Sequence, residues 1–160
     1  METPAHPDED LRPLLARLRA AHQQQVPTYQ QRMQDLQRLA DAVRRHRDDL
    51  AKAVSADFGR RSRHETLAAD VMVTLDEISH VRRKLRKWMR PERPRVNWAF
   101  LPARAEIRRV PLGVVGIVAP WNYPIQLALI PLADAIAAGN HVLVKPSEHT
   151  PRTSALLARL

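Results

Sequence analysis

Cysteine is absent from all 160 residues, which excludes disulfides and thiolate metal sites throughout the chain. The seven histidines do not fill that gap: His46, His64 and His80 stand at no ligand-like spacing with carboxylates, so no metal site is expected. Only four glycines occur, and none belongs to a G-x-G-x-x-G loop. No apolar run reaches the roughly 20 residues that span a bilayer. Met1 to Asp10 is acidic and proline-containing, where a secretory leader would start basic and turn apolar. With 44% hydrophobic and 27% charged residues the composition is that of an ordinary soluble domain, and a cytoplasmic protein with no membrane partner is the expectation.

The charge that is present is lopsided, at a formal +9. Arg82-Arg83-Lys84-x-Arg86-Lys87, followed by Arg90, Arg93 and Arg95, can be read as a basic helical grip on nucleic-acid phosphates. No helix-turn-helix, zinc or aromatic-stacking pattern accompanies it, so a solvated helix face is the simpler reading and no nucleic-acid partner is expected.

Up to residue 95 the pattern is helical. Leu11, Leu14, Leu15 and Leu18 make a short apolar face. Met33, Leu36, Leu39, Ala40, Val43, Leu50 and Val54 predict one long amphipathic helix starting near Thr28. Leu67, Val71, Leu75, Ile78, Val81, Leu85 and Trp88 predict a third, ended by Pro91 and Pro94. Beyond it, Trp98 and Phe100 read as linker, and Ala105-Glu106-Ile107-Arg108 as a polar, alternating strand.

From Pro111 to Glu148 the pattern changes. The runs Val114 to Ala119 and Val142 to Val144 are β-branched and do not alternate with polar residues, so they read as parallel strands buried on both faces. Between them Pro124 to Ala138 predicts a crossover helix, with Pro124 in its first turn, Pro131 as a kink or interruption, and Gly139 closing it in the left-handed conformation. A βαβ unit follows, and in such sheets ligands bind beyond the carboxyl ends of the strands. The polar residues stand there: Ala119-Pro120-Trp121-Asn122-Tyr123-Pro124 after the first strand and Lys145-Pro146-Ser147-Glu148 after the second. Taken singly each has a plain reading, Asn122 as a turn former and Lys145 with Glu148 as a surface ion pair.

Taken together, the two motifs at this separation resemble the amino-terminal part of the aldehyde dehydrogenase superfamily. The likeness runs from about Leu36 to the end and is strongest over residues 104 to 154. Asp57-Phe58-Gly59 and Lys87-Trp88-Met89 are most similar to the coniferyl aldehyde dehydrogenase branch. The resemblance implies an α/β fold in which N-terminal helices precede the first βαβ of a Rossmann-like NAD-binding domain. It divides the chain into a helical segment (1–95), a linker with a bridging, oligomerisation strand (96–110) and the first part of the dinucleotide-binding domain (111–160). It implies NAD-dependent oxidation of an aldehyde to a carboxylic acid by a homo-oligomeric enzyme. Asn122 would be the catalytic side chain, donating its amide to the substrate oxygen. Val118, Ala119, Pro120 and Trp121 would wall the cofactor, while Lys145, Ser147 and Glu148 would hold its adenosine end. Glu148 can accept both ribose hydroxyls and would repel a 2′-phosphate, which favours NAD, while Lys145 leaves NADP possible.

The same family chemistry uses a cysteine thiolate, a carboxylate base and a glycine-rich phosphate segment that stand farther along the chain in relatives. The expectation is therefore the front third of a longer enzyme, inactive alone. Two parallel strands leave open sheet edges. Thr150-Pro151 opens a helix with an N-cap threonine, and no capping signal closes it before Leu160, so the chain is expected to end inside that helix. The alternative is a catalytically inactive remnant that docks on intact subunits as an interaction or oligomer-modulating protein.

Overall fold

The computed structural model describes residues 10–160, so the acidic opening of the chain lies outside the described residues except for Asp10. Helix α1 (Arg12–Gln24) is amphipathic but has no buried residue. Helix α2 (Tyr29–Arg45) begins where expected, because Thr28 and Gln31 form a reciprocal capping box, with Thr28 N–H to Gln31 Oε1 at 2.8 Å and Gln31 N–H to Thr28 Oγ1 at 3.3 Å.

The single long helix predicted from Thr28 through Val54 is in fact two. The backbone leaves helical geometry at His46 (φ −101°, ψ 13°), and α3 (Arg47–Phe58) restarts with Asp48 and Asp49 in its first turn. Those carboxylates favour the positive end of the new helix dipole. The stripe serves two cores, and the change from one to the other comes within α2, before the break. Leu36 and Ala40 pack with Ile78, Val81, Leu85, Ala133 and Ala137. Val43, Leu50 and Val54 pack with Val71, Ile125, Leu129 and Leu156. Each fully buried aliphatic side chain here contributes about 1.5–3 kcal/mol.

The third predicted helix is also altered. A short α4 (Arg63–Glu65) runs into a π-helical stretch, Thr66–Met72, and then α5 (Val73–Trp88). A π-bulge rotates the helix face, so the buried row is Thr66, Asp70, Thr74 and Ile78, while Leu67 and Leu75 are only half-buried. Further on, the expected strand at 105–108 is reduced to one antiparallel bridge, Glu92 with Ile107, joined by N–H···O bonds of 3.0 and 2.8 Å. No further ladder partner stands beside it among the described residues.

Strands β1 (Val114–Val118) and β2 (His141–Lys145) pair in parallel, with Val114 opposite His141 and Val118 opposite Lys145. Helix α6 (Gln126–Ala138) connects them and continues through Pro131 without interruption; Gly139 closes it at φ 85°. The strands are not buried on both faces. Only Ile117 is fully buried and Val118 is 78% exposed: α6 and α1 cover the strands in part, and each strand has one edge without a partner among the described residues. Helix α7 (Pro151–Leu157) ends before the chain does. Tighter turns close it, from Arg159 N–H to Leu156 O and from Leu160 N–H to Leu157 O.

Side chains of the helical layer finish both later helices. Thr150 does not cap α7; its hydroxyl bonds back to Ser147 O at 3.4 Å. Asp57 replaces it, accepting from the N–H groups of Arg152 (3.1 Å) and Thr153 (2.8 Å) and from Thr153 Oγ1 (2.8 Å). Asp70 does the same for α6, accepting from Gln126 N–H at 2.9 Å. At the other end of α6, buried Arg32 donates to Ala137 O at 3.0 Å, and His22 Nε2 lies 3.2 Å from Gly139 O. Acid at the start and base at the end match the helix dipole.

Gly139 is required on two counts: its left-handed φ, and the Arg32 guanidinium, whose Cζ would lie 2.4 Å from an added Cβ. Gly139→Ala should lower unfolding free energy by about 2–4 kcal/mol, from backbone strain and the displaced arginine bond. The denaturant midpoint reads this directly, and an unshifted midpoint would mean that both costs are absent.

Candidate functional site

The β1–β2 register brings the two sequence motifs to one end of the sheet. Val118 and Lys145 are partners, and Ala119 N–H donates to Lys145 O at 3.0 Å, so both loops leave the sheet side by side. The loop residues then take different environments. Ala119 is buried, whereas Val118, Pro120, Trp121 (53% exposed) and Asn122 are open.

Lys145 and Glu148 form an exposed ion pair at 2.5 Å. The hydrogen bond from Lys145 holds the Glu148 carboxyl down to about 2, so it is ionised across the physiological range. An ionised, accessible carboxylate with an adjacent ammonium fits a ribose diol. No glycine loop for a pyrophosphate accompanies it. Ser147 is buried and serves its own turn: its hydroxyl accepts from His149 N–H at 3.2 Å, and its carbonyl receives the Thr150 and Ser154 hydroxyls.

Asn122 faces the helical layer. It lines an open cleft of about 490 Å³ with Phe58, Arg60, Arg61, Glu65 and Tyr123. The Trp121 ring stands 6.0 Å from that of Phe58. Arg61 Nη1 donates to the Asn122 backbone carbonyl at 2.5 Å, leaving the side-chain amide of Asn122 without a hydrogen-bond partner among the described residues. Asp70 lies fully buried behind Arg61, its Oδ2 3.5 Å from Nη2. Burial pushes the Asp70 carboxyl above its ordinary range, against the pull of Gln126 N–H and Arg61.

Such an arrangement can present a neutral amide donor from a tethered backbone to an oxygen that gains negative charge. The eight residues singled out from the sequence thus form two groups, Asn122 at the cleft and the Lys145–Glu148 pair with buried Ser147 at the strand end, with Val118 to Trp121 between. Arg61 and Asp70 were not legible as site residues. A usable signal existed: Thr66, Asp70 and Thr74 repeat every four residues on a helix that otherwise buries apolar side chains.

Comparison with known proteins places these features in a family. The model for the aldehyde dehydrogenase family matches residues 3–160. A probable coniferyl aldehyde dehydrogenase of Pseudomonas aeruginosa is 44% identical over 151 residues, which are 94% of this chain and 32% of that protein. A coniferyl aldehyde dehydrogenase of Pseudomonas sp. strain HR199 is 45% identical over 153 residues, 95% of this chain and 31% of its own length. Among solved structures, the substrate-bound state of Staphylococcus aureus AldH superposes with a TM-score of 0.88 at 30% identity, covering 93% of this chain and 32% of that one. The chain spans about a third of the length of the curated relatives it matches.

Proposed function

Because this chain belongs to the aldehyde dehydrogenase family, we propose that it forms the amino-terminal third of an enzyme that oxidises an aldehyde to a carboxylic acid with a nicotinamide dinucleotide. The observation that carries this reading is the free Asn122 amide, in the loop after β1, whose backbone carbonyl is held by the Arg61 guanidinium. When thiolate attacks an aldehyde, a carbon–sulfur bond forms and the carbonyl π electrons move to oxygen. Asn122 stabilises that oxygen, and a preorganised donor of this kind is worth roughly 3 kcal/mol. The chain has no cysteine, so in this reading the nucleophile comes from beyond residue 160.

Val118, Ala119, Pro120 and Trp121 would wall the dinucleotide, and Lys145 and Glu148 would hold its adenosine ribose, with Ser147 setting the turn between them. The bound nicotinamide supplies the hydride acceptor. NAD is favoured over NADP because the Glu148 carboxylate is charged and exposed, accepting two hydroxyls but repelling a 2′-phosphate. The identity with coniferyl aldehyde dehydrogenases favours an aromatic aldehyde. Residues 96–110 would belong to subunit association in a homo-oligomer, consistent with exposed Trp98, Phe100, Leu101, Ile107 and Val110.

The full-length enzyme tests this with coniferyl aldehyde and either dinucleotide. NAD should give the higher kcat/KM. Glu148→Ala should raise the KM for NAD about tenfold, the equivalent of one charged hydrogen bond, without raising that for NADP. Equal losses with both dinucleotides would remove Glu148 from the ribose, and no turnover of any aldehyde by the full-length protein would remove the activity.

A further inference from the structure

We propose that Arg61 is a positioning residue for Asn122, fixing the direction of its amide through the backbone; this rests on the oxyanion reading above. The loop from Pro120 to Tyr123 has no regular secondary structure of its own, and Asn122 is exposed within it. Something outside the loop has to set its geometry.

Arg61 has the required placement. Its side chain is 6% exposed, although the residue sits in the turn between α3 and α4. The guanidinium carbon lies 4.5 Å from the ring centroid of Tyr123 and 5.1 Å from that of Phe58, so two aromatic rings of the cleft hold it. Its hydrogen bond goes to the Asn122 carbonyl at 2.5 Å.

Apart from those rings, the rest of the guanidinium meets carboxylates without hydrogen-bonding them. Nη2 faces Glu65 Oε1 at 3.4 Å and Asp70 Oδ2 at 3.5 Å, and neither Nε nor Nη2 nor Asp70 Oδ2 has a hydrogen-bond partner among the described residues. A buried arginine whose bonding is spent on one loop carbonyl, with two nitrogens unpaired, is poorly explained as a stability device, since unpaired buried donors are costly. It is well explained as a clamp. Asp70 also accepts from Gln126 N–H at the start of α6, so one carboxylate references both Arg61 on one side of the loop and the helix that follows the loop. A misplacement of about 1 Å at a reacting group can cost up to about 100-fold in rate.

The test is a kinetic double-mutant cycle in the full-length enzyme. Arg61→Met keeps the stem and drops the donor and the charge. It should lower kcat about tenfold while changing KM less than about twofold, since an interaction felt in the transition state is lost. In an Asn122→Ala background the same change should cost less than about twofold, because there is no amide left to aim. Unchanged kcat in Arg61→Met, or an equal loss in both backgrounds, overturns the positioning role. If Asn122→Ala itself keeps full kcat, the oxyanion reading fails instead, and the two failures are told apart. Should the methionine variant not fold, Arg61→Lys, which retains the cation but not the planar fork, enters the same cycle with the same expectations.

Discussion

Replacing Asn122 by alanine in the full-length enzyme should lower kcat by about 100-fold or more, with a small change in KM. The magnitude follows from the proposed role: a neutral amide would meet an oxygen that becomes charged only on thiolate attack, so its interaction would strengthen toward the transition state. Asn122→Asp should be at least as damaging, because an ionised carboxylate repels the developing charge. Neither substitution should unfold the protein, since the side chain is exposed and its anchoring bond uses the backbone carbonyl. Pre-steady-state measurement of acylation locates the defect, and an acylation rate within about threefold of the parent would sink the assignment.

The second large effect is on stability. Asp70→Ala should cost about 3–5 kcal/mol of unfolding free energy, because it strips the buried countercharge from Arg61 and the acceptor from Gln126 N–H. Asp70→Asn keeps an acceptor for Gln126 and should cost less. The pH dependence has a definite sign. Burial raises the folded-state affinity of Asp70 for its proton above the ordinary value of 3.8, so the native state binds more protons than the unfolded one in that window. Its contribution to stability therefore falls as pH rises from the unfolded value through the raised folded one, and the asparagine variant lacks that slope. Denaturant titrations of both variants against pH measure it. A loss below about 1 kcal/mol in the alanine variant would show that Arg61 finds water or another partner.

The strand–helix–strand unit was readable because its signals are local. β-branched runs, Gly139 past the helix and polar residues at strand ends each act within a few positions; the parallel orientation holds, although the burial on both faces from which it was read does not. The boundary near Thr28 was readable from the onset of the apolar stripe, and the structure adds a capping box there. What escaped the sequence is what depends on distant partners. The break at His46 has no nearby proline or glycine to announce it, and the sharing of the stripe between two cores, with Val43 of α2 already in the second, depends on partners far along the chain. The π-helical stretch turns Asp70 inward, against the leucine stripe, because α6 needs an acceptor 56 positions later. Thr150 lost its cap to Asp57, a competitor 95 residues upstream of Arg152. In the site, the motif residues were legible and their supports were not, since Arg61 reaches Asn122 across 61 residues.

The long-range caps of α6 and α7 bear on how the chain acquires its shape. Arg32 precedes its carbonyl partner Ala137 by 105 residues, and Asp70 precedes Gln126 by 56. At a synthesis rate of roughly 5–20 residues per second, these charges wait about 3–20 s for the helix they complete. During that interval Arg32 has only Pro27 O, and Asp70 only Arg61, so the face that will receive α6 keeps a cation and a carboxylate still short of their α6 partners, which hold water on an otherwise apolar surface. When α6 arrives, only one placement answers both charges, with its amino end at Asp70 and its carboxyl end at Arg32. The nascent helical layer thus acts as a polarised berth that reads the direction of the incoming helix as well as its hydrophobicity.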